Sequence, residues 1–406
     1  MELKEYKLGE LLDVTRGTTL SGEFYATEGE HIRLTLGHFD YINGGFKKNT
    51  SKDNLYFTGT VREEFILNEG DIITPLTEQT FGLIGSTAMI PESGKYIQSQ
   101  DVGLIKCNTD LLLPEFCYYL LPTKLVKDQL SAGAQQTSIR HTSPDKIKAC
   151  KVFIPGVEEQ RRIASLLSAI DHKIEVNRAI NQNLDAMAKQ LYDYWFMQFD
   201  FPNEEGKAYR SNGGKMIWNE KLKREIPECW ESATIESFLI IKNGKDHKHL
   251  EDGDYPVYGS GGLMRKVSQK LYEGESVLMP RKGTLNNIMY VNEAFWTVDT
   301  MFYSQMRIQQ CAKYVYYAIK DYDFTRWDSG TGVPSMTSST LYSLAVVKPD
   351  EKVLKLFDEK ISPLFAAIKQ HKTEIENLIR QRDELLPLLM NGQVSVTQLN
   401  SDLSAC

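Results

Sequence analysis

The sequence predicts a mixed α/β (α+β) chain in which two similar globular modules are separated by two long helices that pair with each other. Three observations carry this expectation. The chain has 406 residues, more than a single core usually absorbs. Short strand-like motifs recur once along it, and two long stretches set apolar residues at steps of three and four. The boundaries expected are 1–155 for the first module, 156–200 for a helical region and 201–227 for a linker. The second module follows at 228–349, a second helical region at 350–395 and a tail at 396–406.

The repeat is read motif by motif. Leu8 to Gly17 matches Ile235 to Gly244, each an apolar stretch closing on glycine. Asn68-Glu-Gly-Asp-Ile-Ile-Thr-Pro75 matches Tyr272-Glu-Gly-Glu-Ser-Val-Leu-Met-Pro280, read as a turn that launches a buried strand. Ser131 to Ser138 parallels Asp328 to Ser335, and Val152-Phe-Ile-Pro155 parallels Val346-Val-Lys-Pro349. The offset between copies falls from 227 at Gly17 and Gly244 to 194 at Pro155 and Pro349, so the first copy carries extra loop. A kept framework with diverged loops suits two modules doing one job on different targets.

Each copy ends in a helical stretch. No proline stands between Pro155 and Pro202, and the apolar seam there runs Ile163, Leu166, Ile170, Ile174, Asn177, Asn181, Leu184, Ala188, Leu191, Trp195. The second seam reads Val353, Phe357, Ile361, Leu364, Ile368, His371, Ile375, Leu378, Arg382, Leu385, Leu389. Pro363 and Pro387 are expected to end or kink this second helix. One apolar stripe on so long a helix needs a partner, and the other helix is the best available within the chain. Asn177, Asn181 and His371 are either register-setting hydrogen-bond partners or solvated edge residues. At 1.5 Å per residue the first helix spans roughly 60 Å, longer than the ~34 Å of one DNA turn.

Composition narrows the function. Hydrophobic residues make up 41% and charged residues 25%, the balance of a folded soluble chain. No apolar run reaches the ~20 residues that span a bilayer, and the start lacks a basic leader, so a cytoplasmic protein is expected. The six cysteines are scattered without a CxxC pair, which suits reduced thiols better than a zinc site or a disulfide framework. A net charge of −7 excludes wholesale electrostatic binding of nucleic acid, so any DNA contact must be local or shared with a partner.

Catalytic signatures are scarce. There is no Pro-Pro pair for the base-holding loop of an amino-group methyltransferase. Gly259-Ser-Gly-Gly262 lacks nucleotide-loop spacing and reads as a turn. Asp145, Asp171 and Lys173, or Asp350, Asp358 and Lys360, resemble a nuclease set only loosely, because acids and lysines recur in any charged helix. No catalytic and no metal-binding residue is therefore assigned.

Reading DNA needs cations for phosphates and Arg, Lys, Asn or Gln for base edges. In the first copy the candidates are Arg16, Thr18, Thr19, Lys47, Lys48, Lys52, Gln79, Gln135, Gln136, Arg140 and His141. In the second they are Lys242, Lys245, His247, Lys248, Arg265, Lys266, Arg281, Lys282 and Arg326. Each alone is an ordinary solvated residue; the grouping in loops of both copies is what points to DNA. Aromatics such as Tyr255 and Tyr258 are read as packing of β-rich modules rather than as base-stacking platforms.

The residues also resemble a known family, the specificity subunits of type I DNA restriction-modification enzymes. Ile154-Pro-Gly-Val-Glu-Glu-Gln-Arg-Arg-Ile-Ala164 is similar to the proline, Glu-Gln-Arg and apolar-helix signature, and its helix ends in Tyr192-Asp-Tyr-Trp-Phe196. Glu69-Gly-Asp71, Glu228-Cys-Trp230, Val277-Leu-Met-Pro-Arg-Lys-Gly283 and Phe295-Trp-Thr-Val-Asp299 resemble recognition-domain framework. Asp350-Glu-Lys-Val353 departs from the Glu-Gln-Arg pattern at the second helix. The resemblance implies two target recognition domains joined by an antiparallel helix pair, each reading half of a bipartite site on double-stranded DNA. It implies no catalysis and no cofactor in this chain. Two modification subunits would bind S-adenosylmethionine and methylate adenine, and two restriction subunits would use ATP and Mg2+ to translocate and cleave; no membrane is involved. The competing expectations are the recognition part of a bifunctional type II-like enzyme and a coiled-coil scaffold that never touches DNA.

Overall fold

A computed structural model describes residues 2–40, 44–78, 82–132, 140–327 and 334–397. The chain divides into two units, residues 1–176 with 374–406 and residues 177–373. In the first unit the order Leu12–Arg16, Val102–Cys107, Ile72–Pro75, Ala88–Met89 makes a four-stranded sheet. The second unit repeats it as Leu239–Asn243, Met301–Met306, Tyr272–Pro280, Met289–Thr297 and extends it by Asp252–Gly259 and Gly262–Val267 to six strands. Both units add a two-stranded antiparallel pair at the entry to the helical segment: Lys4–Lys7 with Lys151–Ile154, and Glu231–Thr234 with Ala345–Lys348.

The duplication extends to single residues. A Cβ on Gly17 would lie 2.4 Å from the carbonyl oxygens of Gln98 and Ser99, and one on Gly244 would lie 2.0 Å from that of Val298. The two glycines that close the matched motifs therefore let one strand end pass directly over another backbone. Ser143 and Thr337 cap matched short helices, accepting from the amides of Lys146 and Thr340. The glycines of the other matched motif differ in setting. Gly70 has φ +84° and forms the expected turn with Asn68 and Asp71, whereas Gly274, φ +127°, sits inside a strand opposite Glu293.

The extra loop of the first copy can be located. Parallel pairing aligns Ile32–Tyr96 with Val257–Trp296, an offset of 225 at the first strand that has fallen to 204 by Gly70 and Gly274. The surplus lies where the second unit has only the two-residue turn Ser260-Gly261 and the first has the excursion between Arg33 and Tyr56. The long strand Met289–Thr297 is also broken in the first unit into Ala88–Met89 and Tyr96–Ile97. Pro91, which has no N–H to give a ladder, and Gly94 at φ +78° fall in the gap, so one six-stranded sheet becomes two smaller ones.

The long helices are Val157–Tyr192, followed by a π turn at Asp193–Met197, and Glu351–Met390. Each contributes a segment to each unit, and within each unit the two segments run antiparallel. In the first unit Asp171 meets Arg382 at 2.9 Å and Lys173 meets Glu374 at 2.5 Å. In the second unit Asn181 accepts or donates across 3.0 Å to the Nδ1 of His371, so these two polar seam residues are mates rather than edge residues. The buried faces follow the expected spacing, with Ile163, Ile174, Phe357, Ile361 and Leu378 buried and Ile170, Leu184, Leu191, Leu364, Ile368, Ile375 and Leu385 half-buried.

Leu166, expected in the seam, is half-buried and packs against the same apolar cluster as Leu385 and Leu386, next to the fully buried Leu167. The second helix passes through Pro363 and Pro387 without ending. Both prolines are exposed, and each removes one backbone hydrogen bond at a cost of about 3 kcal/mol. Burial of Phe357, Ile361 and Leu389 offsets this at roughly 1.5 to 3 kcal/mol each.

Residues 201–227, expected as a linker, carry structure of their own. Phe201 stacks between Tyr209 and Trp230, and Met216–Asn219 pairs with Arg224–Pro227. The five described cysteines form no disulfide; Cys406 lies outside the described residues. Among the described residues no helix is long and apolar enough to cross a membrane.

Candidate nucleic-acid interface

In the second unit the backbone gathers three loops at one end of the six-stranded sheet. Past Gly244 the chain crosses the end of the strand Met289–Thr297, with the Lys245 amide donating to Thr297 O and the Trp296 indole donating to Lys245 O, both at 2.9 Å. The amides of Arg281 and Lys282 both donate to Thr300 O, at 2.8 and 3.2 Å, and Lys282 bridges to Ser335. The hairpin turn joins them, because Asn287 Nδ2 donates to Ser260 O at 2.9 Å. Lys242, Lys245, Lys248, Lys266, Arg281 and Lys282 are all exposed.

Three candidates of this unit have surroundings of their own. The Arg265 guanidinium donates from Nη2 to His247 O and Leu250 O, both at 2.7 Å, and so pins the basic loop rather than extending from it. His247 is half-buried, and its Nδ1 is buried without a hydrogen-bond partner. Arg326 is 80% exposed but ion-paired to Asp323 at 3.0 Å, beside Asn286.

In the first unit Arg16 ends its strand and Thr18 bridges to Ser99. Thr19 Oγ1 donates to Gln100 Oε1 at 2.9 Å. Thr18, Gln100, Arg33, Thr35, Asn49 and Lys52 line one cavity of about 370 Å3. Asn49, buried, ties the excursion together: its Nδ2 donates to Thr35 Oγ1 at 2.9 Å, and its Oδ1 accepts from the amide and hydroxyl of Ser51. The Lys47 amide donates to His38 O, while the Lys48 and Lys52 side chains are exposed. Burial lowers the His38 pKa to about 4, against an opposing contribution from the Thr35 backbone, so the ring is neutral at neutral pH. Arg140 approaches Glu78 at 3.8 Å and His141 is exposed. Gln79, Gln135 and Gln136, like most of the Ser131–Ser138 and Asp328–Ser335 match, lie outside the described residues.

Three important side chains escaped sequence reasoning. The buried Glu78 Oε2 accepts from the amides of Gly82, Leu83 and Ile84 at 2.8 to 3.0 Å, holding the backbone just past Gln79. Gln160 is fully buried; its Oε1 accepts from Leu113 N at 2.9 Å and its Nε2 donates to Leu111 O and Pro155 O at 2.8 Å. Lys313, also buried, is held by Glu275 at 2.6 Å and Asp358 at 2.7 Å, and Tyr290 donates to the same Glu275. The Glu-Gln-Arg run flagged Gln160 without its role; nothing local flags the other two.

Two of the four acids that loosely resemble a nuclease set are used structurally. Asp171 accepts from Tyr119 at 2.7 Å and pairs with Arg382, and Asp358 pairs with Lys313. No group of three His, Cys, Asp or Glu among the described residues could hold a metal ion.

Fold and site together define a duplicated binding module, one β scaffold built twice with different polar and cationic loops at its end. The family model for the type I restriction modification DNA specificity domain matches residues 1–186 and 227–382, and the chain belongs to that family. It is 24% identical over 326 residues to the type I restriction enzyme MjaIX specificity subunit of Methanocaldococcus jannaschii, covering 71% of each chain. It is 20% identical over 374 residues to the HindI specificity subunit of Haemophilus influenzae, covering 74% of this chain and 81% of the relative. Among solved structures, the S subunit of a type I restriction-modification system from M. genitalium superposes with a TM-score of 0.60 at 18% identity over 96% of both chains, a likeness of fold.

Proposed function

We propose that this chain is the DNA sequence-specificity subunit of a type I restriction-modification complex, with each module reading one half of a bipartite site. One observation carries the reading: the framework is duplicated down to the crossing glycines Gly17 and Gly244, while the loops at its end differ, a tight turn at Ser260-Gly261 in one copy and a long excursion after Arg33 in the other. Divergent loops on a constant scaffold are how one binding mode is given two addresses. The long helices, 36 and 40 residues, set the spacing between halves, since about 1.5 Å per residue makes each more than 50 Å long.

On this reading the chain catalyses nothing. Two modification subunits, using S-adenosylmethionine for adenine methylation, dock on the helices, where Ile180 and Met187 are exposed apolar side chains on the first. Restriction subunits bring ATP- and Mg2+-dependent translocation and cleavage. The complex works in the cytoplasm without a membrane surface. The experiment is to express the chain with its modification subunit and map methylated bases. A single split target is expected, and exchanging residues 1–155 for another recognition domain should change only one half. Unmodified DNA, or change in both halves, would overturn the reading.

A further inference from the structure

The hairpin that closes the six-stranded sheet of the second unit carries an unusual tip. It turns through Ser260 and Gly261, with Gly262 at φ +112°, a conformation that fixes the tight reversal. Immediately past the turn Leu263 and Met264 are 53% and 57% exposed. They are held there rather than left loose. A Cβ on Gly259 would lie 2.5 Å from Met264 Sδ, so the thioether lies across the bare backbone of the opposite strand. The turn rests on the Arg281-Lys282-Gly283 loop, where a Cβ on Gly283 would lie 2.7 Å from Ser260 Oγ, and Asn287 holds Ser260 O.

The charge around this apolar pair has one sign in sequence. From Tyr255 to Lys266 there is no carboxylate, and Arg265 and Lys266 follow Met264 directly, Arg265 being paired to Asp252 at 3.5 Å at the base of the hairpin. Arg265 also pins the loop bearing Lys245 and Lys248 to the same hairpin. An apolar tip fixed in water and backed by cations matches a ligand that is anionic outside and apolar within. Duplex DNA has that make-up, with phosphates at the rim and base faces or thymine methyls in the groove.

We propose that Leu263 and Met264 are base-contacting, specificity-determining residues of the second module, pressed against apolar nucleobase surface while the exposed Lys245, Lys248, Arg281 and Lys282 hold phosphates. The proposal rests on the functional reading above and adds to it a contact that basic-residue reasoning misses. Apolar contacts release no counterions, so they leave the salt dependence of binding untouched, whereas each phosphate contact adds about one unit to its slope.

The test uses the full chain assembled with its modification subunit and a duplex bearing the mapped target. Leu263→Ser combined with Met264→Ser should assemble and melt like the parent, because both side chains already face water. Its affinity for the target should fall roughly tenfold or more, with unchanged affinity for random duplex and unchanged salt slope. Lys282→Ala should weaken both duplexes alike and flatten the slope. Deoxyuridine in place of thymidine identifies a methyl contact if it reproduces the loss; brightening of 2-aminopurine on binding identifies an opened base step. Parental target affinity in the double variant, an equal fall on random duplex, or failed assembly with the modification subunit would overturn the proposal. A parent complex without target preference would instead bring down the functional reading and the tip with it.

Discussion

Replacing Gln160 by leucine should destabilise the first unit and leave the second unchanged. The side chain is fully buried and joins the helix start to the segment before Pro114 through two hydrogen bonds, with Leu113 N and Leu111 O, and makes a third to Pro155 O, all of 2.8 to 2.9 Å. The matched position in the second copy is Leu354, 1% exposed, so leucine fits the same helical frame, and the substitution isolates the polar loss. Pro155 O would be left buried and unpaired at about 1 to 3 kcal/mol, and the two half-buried bonds add about 1 kcal/mol each. The larger apolar side chain returns about 1 kcal/mol, for a net loss of about 2 to 4 kcal/mol. In a unit of this size that lowers the midpoint by roughly 5 to 15 °C. Hydrogen exchange read by mass spectrometry is the assay. Amides of Pro114–Leu120 and the first turns of Val157–Tyr192 should exchange faster, and those of Glu351–Ile361 should not. Gln160→Glu should be worse at neutral pH, since a carboxylate oxygen would face two carbonyls. Unaltered exchange at Leu113 and its neighbours in both variants would refute the assignment of Gln160 as the clamp.

Other perturbations follow from the same contacts. Ile174→Asp puts a carboxylate at a position 3% exposed in the first unit's helical pair and should cost about 3 to 5 kcal/mol, with loss of complex assembly read by size exclusion. His38 is neutral in the folded chain because burial holds its pKa near 4, while the unfolded chain takes up a proton near 6.5. Between those values the unfolded state binds the extra proton, so stability falls as pH drops, by up to about 3 kcal/mol at pH 4. Urea titrations at pH 7 and pH 4.5 should show this slope in the parent and not in His38→Gln. Lys313→Met leaves Glu275 and Asp358 facing each other without their cation and should cost about 3 kcal/mol, most of it recovered by adding Asp358→Asn. Arg265→Gln should speed proteolysis between Lys242 and Leu250 without changing the sheet, because the partners that lose their donor are the carbonyls of His247 and Leu250 and the exposed Asp252 carboxylate.

The repeat and the seams were legible because each rests on periodicity within one stretch of chain. Helix seams repeat every three or four residues, and the pairing of Asn181 with His371 completes a pattern already visible in each helix. Pro363 and Pro387 do not end the helix, because the burial of Phe357, Ile361 and Leu389 outweighs local propensity. The interface was legible as a set of cations but not as an arrangement. Whether Arg265 faces outward or clamps a loop depends on carbonyls fifteen and eighteen residues away. Glu78 and Lys313 act through partners brought close only by the fold, and an exposed Leu263-Met264 pair looks in sequence like any other strand.

The division of the chain has a consequence for its biosynthesis. Leu389, Met390 and Val396 lie in the same apolar cluster as Leu8, Leu11 and Phe116. Ribosomes deliver those closing residues hundreds of codons after the segments they cover, so the earlier-made portion waits, incomplete, until Leu389 has emerged from the exit tunnel. A stop codon ahead of Leu389 would thus be felt around Leu8 and Leu11, and a nascent-chain crosslink between the two segments should form only after that emergence.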